Sequence, residues 1–180
     1  MNFAPKLRAD WKANKGNPKG RIITSYFRCA QWFAIRKRQT LLWLLGLPVM
    51  VSYRLIVEWL LGCELPAKTR VGAGLLLYHG QGLVINDNTI IGADCVLRHN
   101  TTIGNILRDG LASGSPVIGN NVEVGANVCI IGEVIIGDGA KIGAGAVVIM
   151  NVPAGAVAVG NPARIVGQDA AVVGRSEGQI

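Results

Sequence analysis

Long aliphatic side chains recur every six residues through the second half of this chain, and that spacing constrains the fold more than any other feature. Ile85, Ile91, Leu97 and Ile103 form one series; Ile118, Val124, Ile130, Ile136, Ile142 and Val148 form a second. Glycine directly follows six of them, as Gly92, Gly104, Gly119, Gly125, Gly137 and Gly143. Four residues after most of them stands something small or β-branched: Thr89, Cys95, Thr101, Val122, Val128, Val134, Ala140 and Ala146. A helix repeats its apolar face every 3.6 residues and a strand every two, so neither gives a period of six. A parallel β-helix of hexapeptide units does, because three short strands complete one triangular coil and each aliphatic points into the prism. The expected fold is therefore mostly β, with an α-helical region ahead of the coils.

Two departures from the period mark places where a solenoid builds binding surfaces. The series Val71, Leu77, Leu83 is offset by two from Ile85, which implies one eight-residue unit between 77 and 85. Fifteen residues separate Ile103 from Ile118, so a loop from Asn105 to Pro116 is expected to leave the coil.

Upstream the texture is different. Twenty of the 24 glycines lie from Val71 onward. Residues 21 to 62 carry apolar positions at helical spacing, with Pro48 as a kink or boundary, whereas residues 1 to 20 are polar and Gly16, Pro18 and Gly20 mark a loop. Boundaries are placed at 1–62 for the helical region, 63–167 for the β-helix and 168–180 for a loose tail. The apolar run Leu41 to Val51 has about half the length needed to cross a bilayer, and reads as a buried or interfacial helix. Residues 1 to 40 hold ten Lys or Arg and one acid, net +9, while the remainder holds eight and ten, net −2. A uniformly basic nucleic-acid protein is thereby disfavoured, and no nucleic-acid partner is expected. Cys29, Cys63, Cys95 and Cys129 form no CxxC pair, so neither zinc nor a disulfide framework is expected and a reducing cytoplasm fits. No apolar stretch promptly follows the basic N-terminal residues, so no secretory signal is expected.

The chain's two histidines fall in register. His79 follows Leu77 by two and His99 follows Leu97 by two, and Leu77 to Leu97 is one complete coil. The imidazoles should stack on one prism face at about the 4.8 Å strand spacing. A solvent-edge imidazole is a natural general base for a hydroxyl proton and needs an orienting partner on its second nitrogen, for which Glu64 is a candidate. Cys95 occupies an internal position and Cys129 is out of register with the histidines, so a thiol nucleophile is not expected.

At these residues the sequence resembles the serine O-acetyltransferase branch of the hexapeptide-repeat acyltransferases. In that branch a helical region leads into a left-handed β-helix, an acid lies 15 positions before the catalytic His, and the coils end in Gly-x-Pro-Ala-[RK]. Glu64 here lies 15 before His79, and the tail reads Gly160-Asn161-Pro162-Ala163-Arg164. The branch's acid is normally Asp, and serine-using members carry an Arg-His pair before a Pro in the protruding loop, where this chain has Gly114-Ser115-Pro116. The stretch Leu97-Arg98-His99-Asn100-Thr101-Thr102-Ile103-Gly104-Asn105 is instead similar to acetyltransferases of colanic acid, capsule and related exopolysaccharides.

The resemblance implies acetyl-CoA as donor, no metal, and a homotrimer or dimer of trimers with the donor in a groove between neighbouring β-helices. His79, Glu64 and His99 would be catalytic. A saccharide acceptor would meet Asp10, Arg98, Asn100, Asn105, Arg108 and Asp109, and the donor would meet Gly125, Ala126, Lys141, Gly143, Ala144 and Arg164. L-serine is the alternative acceptor. The helical region would pack trimer against trimer, or Arg36-Lys37-Arg38 and Leu41 to Val51 would contact anionic lipid at the inner membrane face.

Overall fold

The computed structural model describes residues 3–36, 38–108 and 110–168. Helices come first: α1 (Phe3–Ala13), α2 (Pro18–Ala34), α3 (Thr40–Leu45) and α4 (Leu47–Tyr53), the last running on as a π-helical segment, Arg54–Leu60. Asn17 caps α2 by accepting from the Gly20 N–H at 3.0 Å, and Pro18 occupies the first turn, where its missing donor costs nothing. Gly46 separates α3 from α4, and Pro48 starts α4 for the same reason.

From Cys63 the chain winds into a parallel β-solenoid with three faces. The first face stacks Cys63–Glu64, Leu83–Ile85, Thr102–Gly104, Cys129–Ile131 and Val147–Val148; the second stacks Arg70–Val71, Ile90–Ile91, Val117–Ile118 and Ile135–Ile136. The third stacks Leu76–Tyr78, Val96–Arg98, Glu123–Val124, Lys141–Ile142 and Ala156–Val159. The final strand, Arg164–Gln168, folds back antiparallel on Ala156–Val159 and covers that end of the third face. Ladder pairs such as Ile85↔Ile103 and Ile130↔Val148 stack the aliphatics coil upon coil. These side chains are almost wholly buried, and so are the small residues four positions on, Thr89, Cys95, Thr101, Val122, Val128, Val134, Ala140 and Ala146. Each fully buried large aliphatic contributes roughly 1.5–3 kcal/mol of transfer free energy.

The first coil exposes a row of backbone groups with no earlier coil to pair with, and the helices satisfy them with side chains. Asp10 Oδ1 accepts from the N–H groups of Gly74 (2.8 Å) and Leu75 (3.0 Å). Asn14 donates to Leu75 O at 2.8 Å, Asn17 to Leu77 O at 2.7 Å and Gln31 to Thr69 O at 2.8 Å. Arg28 donates to Val71 O at 3.0 Å and to Gly72 O, and pairs with Asp10 at 2.7 Å. Asp10, Asn14, Arg28 and Gln31 are buried. This clamp explains α1 within the expected helical region, ahead of the turn that Gly16 and Pro18 mark. The helix is held by tertiary hydrogen bonds from Asp10 and Asn14 and has no broad apolar face to reveal it.

The insertion between Ile103 and Ile118 is a small antiparallel hairpin, Leu107–Arg108 with Leu111–Ala112, closed where Ile106 N donates to Ser113 Oγ and Ser113 N to Ile106 O. It leaves the corner between the first and second faces. Asp109 and all of the expected tail except Gln168 lie outside the described residues.

Candidate active site

The corner from the third face to the first carries the site. The ladder pairs Leu77↔Leu97 and Tyr78↔Arg98 set His79 directly over His99. Their ring centroids are 5.5 Å apart with planes at 80°, edge to face. The same registers, Val96↔Glu123, Val124↔Ile142 and Ile142↔Ala158, continue the column through Ala126 and Ala144 to Gly160. The imidazoles therefore stand at one end of a line whose later members are too small to obstruct it.

Two extra residues shape the histidine end. The eight-residue unit places Gln81 and Gly82 in the corner, and the chain there turns through left-handed conformations at His79 (φ 68°), Gly80 (65°) and Gly82 (66°). Gly82 is required twice over, by its φ and because a Cβ would strike the Asn100 side-chain amide. Gly82 N donates to Gly62 O at 2.7 Å and Asn100 N to Gln81 O at 2.8 Å, so the widened corner stays tied to the coils on both sides. Asn100 holds the left-handed position of the next coil (φ 54°), a conformation Asn tolerates, and donates from Nδ2 to Asn127 Oδ1 at 3.1 Å.

A cleft of about 900 Å³ opens there, lined by Lys19, Gly62, Glu64, His79, Gln81, Gly82, Val84, His99 and Asn100. His79 is exposed to it. His99 Nδ1 is buried with no hydrogen-bond partner among the described residues. Glu64, on the strand that pairs it with Val84, lines the same cleft, and among the described contacts no hydrogen bond joins it to either imidazole. Burial pushes the Cys63 thiol up to about 12 and the Cys95 thiol, at the preceding corner, to about 11, far above the range of a thiolate nucleophile.

Residues 115–149 match the family model described as bacterial transferase hexapeptide (six repeats). The chain is 40% identical over 157 residues to the putative colanic acid biosynthesis acetyltransferase WcaB of Escherichia coli strain K12, covering 87% of this chain and 96% of that protein. The chain belongs to the hexapeptide-repeat transferases. Its relatives are acetyltransferases by name, and this transferase is an acyltransferase enzyme. Soybean serine acetyltransferase complexed with serine superposes with a TM-score of 0.76 at 29% identity, covering 91% of this chain and 69% of that one. The coenzyme A complex of serine acetyltransferase from Brucella abortus strain S19 gives 0.73 at 26%, covering 93% and 68%.

Several residues expected to contact substrate sit elsewhere in the transferase. Asp10 is wholly buried against Arg28 and the first coil, so it clamps the helices and cannot touch an acceptor. Arg98 lies over the Tyr78 ring at 5.5 Å and reaches Val124 O at 3.4 Å, outside the cleft lining. Asn105 and Arg108 belong to the hairpin, which leaves a different corner of the same chain, and the Arg108 side chain and Asp109 are outside what the structure describes. Among residues expected to meet the donor, Ala126 and Ala144 lie in the column itself, Gly125 and Gly143 lie one residue before them, and Lys141 and Arg164 stand on the third face. Sequence reasoning missed Lys19, Gln81, Gly82 and Val84. The eight-residue unit already pointed to Gln81 and Gly82, whereas a repeat period carries no information about where the start of α2 will dock.

Proposed function

We propose that this transferase moves an acetyl group from acetyl-CoA to a sugar hydroxyl in exopolysaccharide or capsule biosynthesis, acting in the cytoplasm as a homotrimer or dimer of trimers. The observation that carries the reading is the cleft at the head of the histidine column. At about 900 Å³ it is large for a single small amino acid, and its described lining offers the amides of Gln81 and Asn100, one carboxylate and one Lys, the pattern suited to orienting a polyhydroxyl ligand. Its 40% identity to a putative colanic acid acetyltransferase supports the same acceptor class. In serine-using relatives the protruding loop bears an Arg-His pair; the hairpin base here has Ser115, whose hydroxyl donates to Asn86 Oδ1 at 3.0 Å.

Direct transfer fits the groups present. His79 accepts the acceptor hydroxyl proton as the oxygen attacks the thioester carbonyl; the new C–O bond replaces C–S, and the proton passes on to the departing thiolate. In this reading Asn100, in the cleft lining, donates to the developing oxyanion, and the His99 imidazole beside it helps orient the acceptor. The small residues of the column, Ala126, Ala144 and Gly160, leave the corner open for a thin pantetheine arm, with Lys141 and Arg164 as cations for the nucleotide phosphates. Serine O-acetylation is the second reading, favoured by the match to a serine complex. Acetyl-CoA turnover measured with L-serine and with a panel of capsule or colanic-type oligosaccharides separates the two. Transfer to an oligosaccharide and none to serine is expected; the reverse result overturns the proposal.

A further inference from the structure

The helix formed by α4 and its π-helical continuation is amphipathic in a way that water alone does not explain. One side packs on the core through Met50, Tyr53 and Val57. The other carries Val51, Leu55 and Trp59 at intervals of four, with Ile56 and Leu60 beside them, and every one is exposed; Trp59 is 72% and Leu60 78% accessible. A surface helix ordinarily places charged or polar residues along that stripe. The preceding α3 adds Leu41 and Leu45, 71% and 63% accessible. A contiguous apolar surface of this extent marks an interaction site.

Charge identifies the occupant. Arg36 and Arg38 lead into α3 and Arg54 sits at the junction with the π-helical segment, Arg36 lying over the Trp32 ring at 3.8 Å. Arg36 and Arg38 belong to the segment of net +9 formed by ten Lys or Arg and one Asp in residues 1–40; Arg54 lies beyond it and pairs with Glu58 at 3.4 Å. Packing this face on a second copy would set the basic lead-in to α3, with Arg36 and Arg38, against its own counterpart, like charge on like. An anionic surface would neutralise them while the apolar stripe entered the acyl boundary, the arrangement of an interfacial helix. No helix among the described residues is long and apolar enough to cross a membrane, so the contact lies in the plane of the surface.

We infer that the outer face of α3, α4 and the π-helical segment is a docking surface for an anionic lipid bilayer. Its position gives the contact a consequence. Leu60 is two residues before Gly62 and four before Glu64, both of which line the catalytic cleft. A docked enzyme would hold the cleft mouth near headgroup level, where an acceptor carried on a lipid would be presented. The docking itself does not depend on which acceptor is used.

The test is flotation of the full chain with vesicles of phosphatidylcholine alone or mixed with phosphatidylglycerol. The wild type should bind the mixed vesicles at least about tenfold more tightly than the neutral ones, and less so in high salt. Arg38→Gln with Arg54→Gln should remove that preference, and Leu55→Ser with Trp59→Ser should remove binding to both. All four positions are exposed, so thermal unfolding and acetyl-CoA turnover with a soluble acceptor should stay near wild type. Failure of the wild type to bind mixed vesicles overturns the inference regardless of how the variants fold. So does unchanged binding by the serine variant, or a fall in its lipid-free mass by light scattering, which would assign the face to a second copy. Acceptor specificity is read separately, in the turnover assay, so the two proposals fail independently.

Discussion

The helical region and the solenoid solve the same problem, satisfying backbone and burying apolar area, by opposite means. The solenoid does it by repetition. Each coil's backbone groups pair with the next and each aliphatic stacks on its counterpart, so stability is close to a sum over neighbouring coils. The helices do it once, through a set of dissimilar polar contacts concentrated on the first coil. That first coil is an open parallel edge, a template for unwanted pairing in any β-protein, and Asp10, Asn14, Asn17, Arg28 and Gln31 block it with hydrogen bonds that no incoming strand can displace cheaply. Repeated structure thus tolerates the loss of any single contact better than the clamp does, while the candidate site lies at one of the two corners where repetition is broken.

The sharpest test of that division is His79→Ala. It should lower transfer by about 10²–10⁴-fold, measured as coenzyme A release, with the melting temperature unmoved because the side chain is exposed and outside the core. Activity within a few-fold of wild type would remove His79 from the chemistry. Asp10→Ala should do the converse. Leaving the buried Arg28 guanidinium unpaired costs about 3–5 kcal/mol, read as a loss in denaturant midpoint. If the two regions unfold separately, far-UV circular dichroism should show helix lost ahead of strand; a single unchanged transition would mean that the clamp contributes little.

Alkaline pH gives a third probe. Burial raises the Cys63 thiol from its ordinary 9.0 to about 12. The unfolded chain gives up this proton near pH 9 while the folded chain keeps it, so the contribution is fully present below pH 9 and drains as pH rises toward 12. Melting temperature should fall between about pH 9 and 11, and Cys63→Ala should flatten the slope; an unchanged slope would show that other groups dominate. The smallest expected effect is at Lys19, where the helical region reaches the histidine corner. Lys19→Ala should raise KM for an acidic oligosaccharide by about fivefold to tenfold and leave a neutral acceptor nearly unaffected. Equal effects on both would assign Lys19 a purely steric part.

What the sequence discloses follows the same division. A period of six is a long-range geometric statement, so Ile85 through Val148, the vertical pairing of His79 with His99, and an eight-residue unit between 77 and 85 could all be read before any coordinates. The clamp could not, because Asp10 and Asn14 act on backbone groups more than 60 positions away and nothing local distinguishes them from solvated side chains. Asp10 was accordingly misread as a substrate contact, and Lys19 was passed over as one cation among ten. The hairpin's existence was legible from the broken period, but its corner was not, since a count of residues locates an insertion along the chain and not around the prism.

The column from His79 through His99, Ala126 and Ala144 to Gly160 behaves as a ruler graduated in coils. Four steps at the spacing of adjacent strands make about 19 Å between the imidazole and the turn that begins the tail. Deleting or duplicating one six-by-three block of sequence between Ala126 and Ala144 would shift those two ends relative to each other by one graduation, about 4.8 Å, without altering a residue at either. The repeat number is in that sense a measured length, and a solenoid can change the span of the molecule it holds only in whole coils.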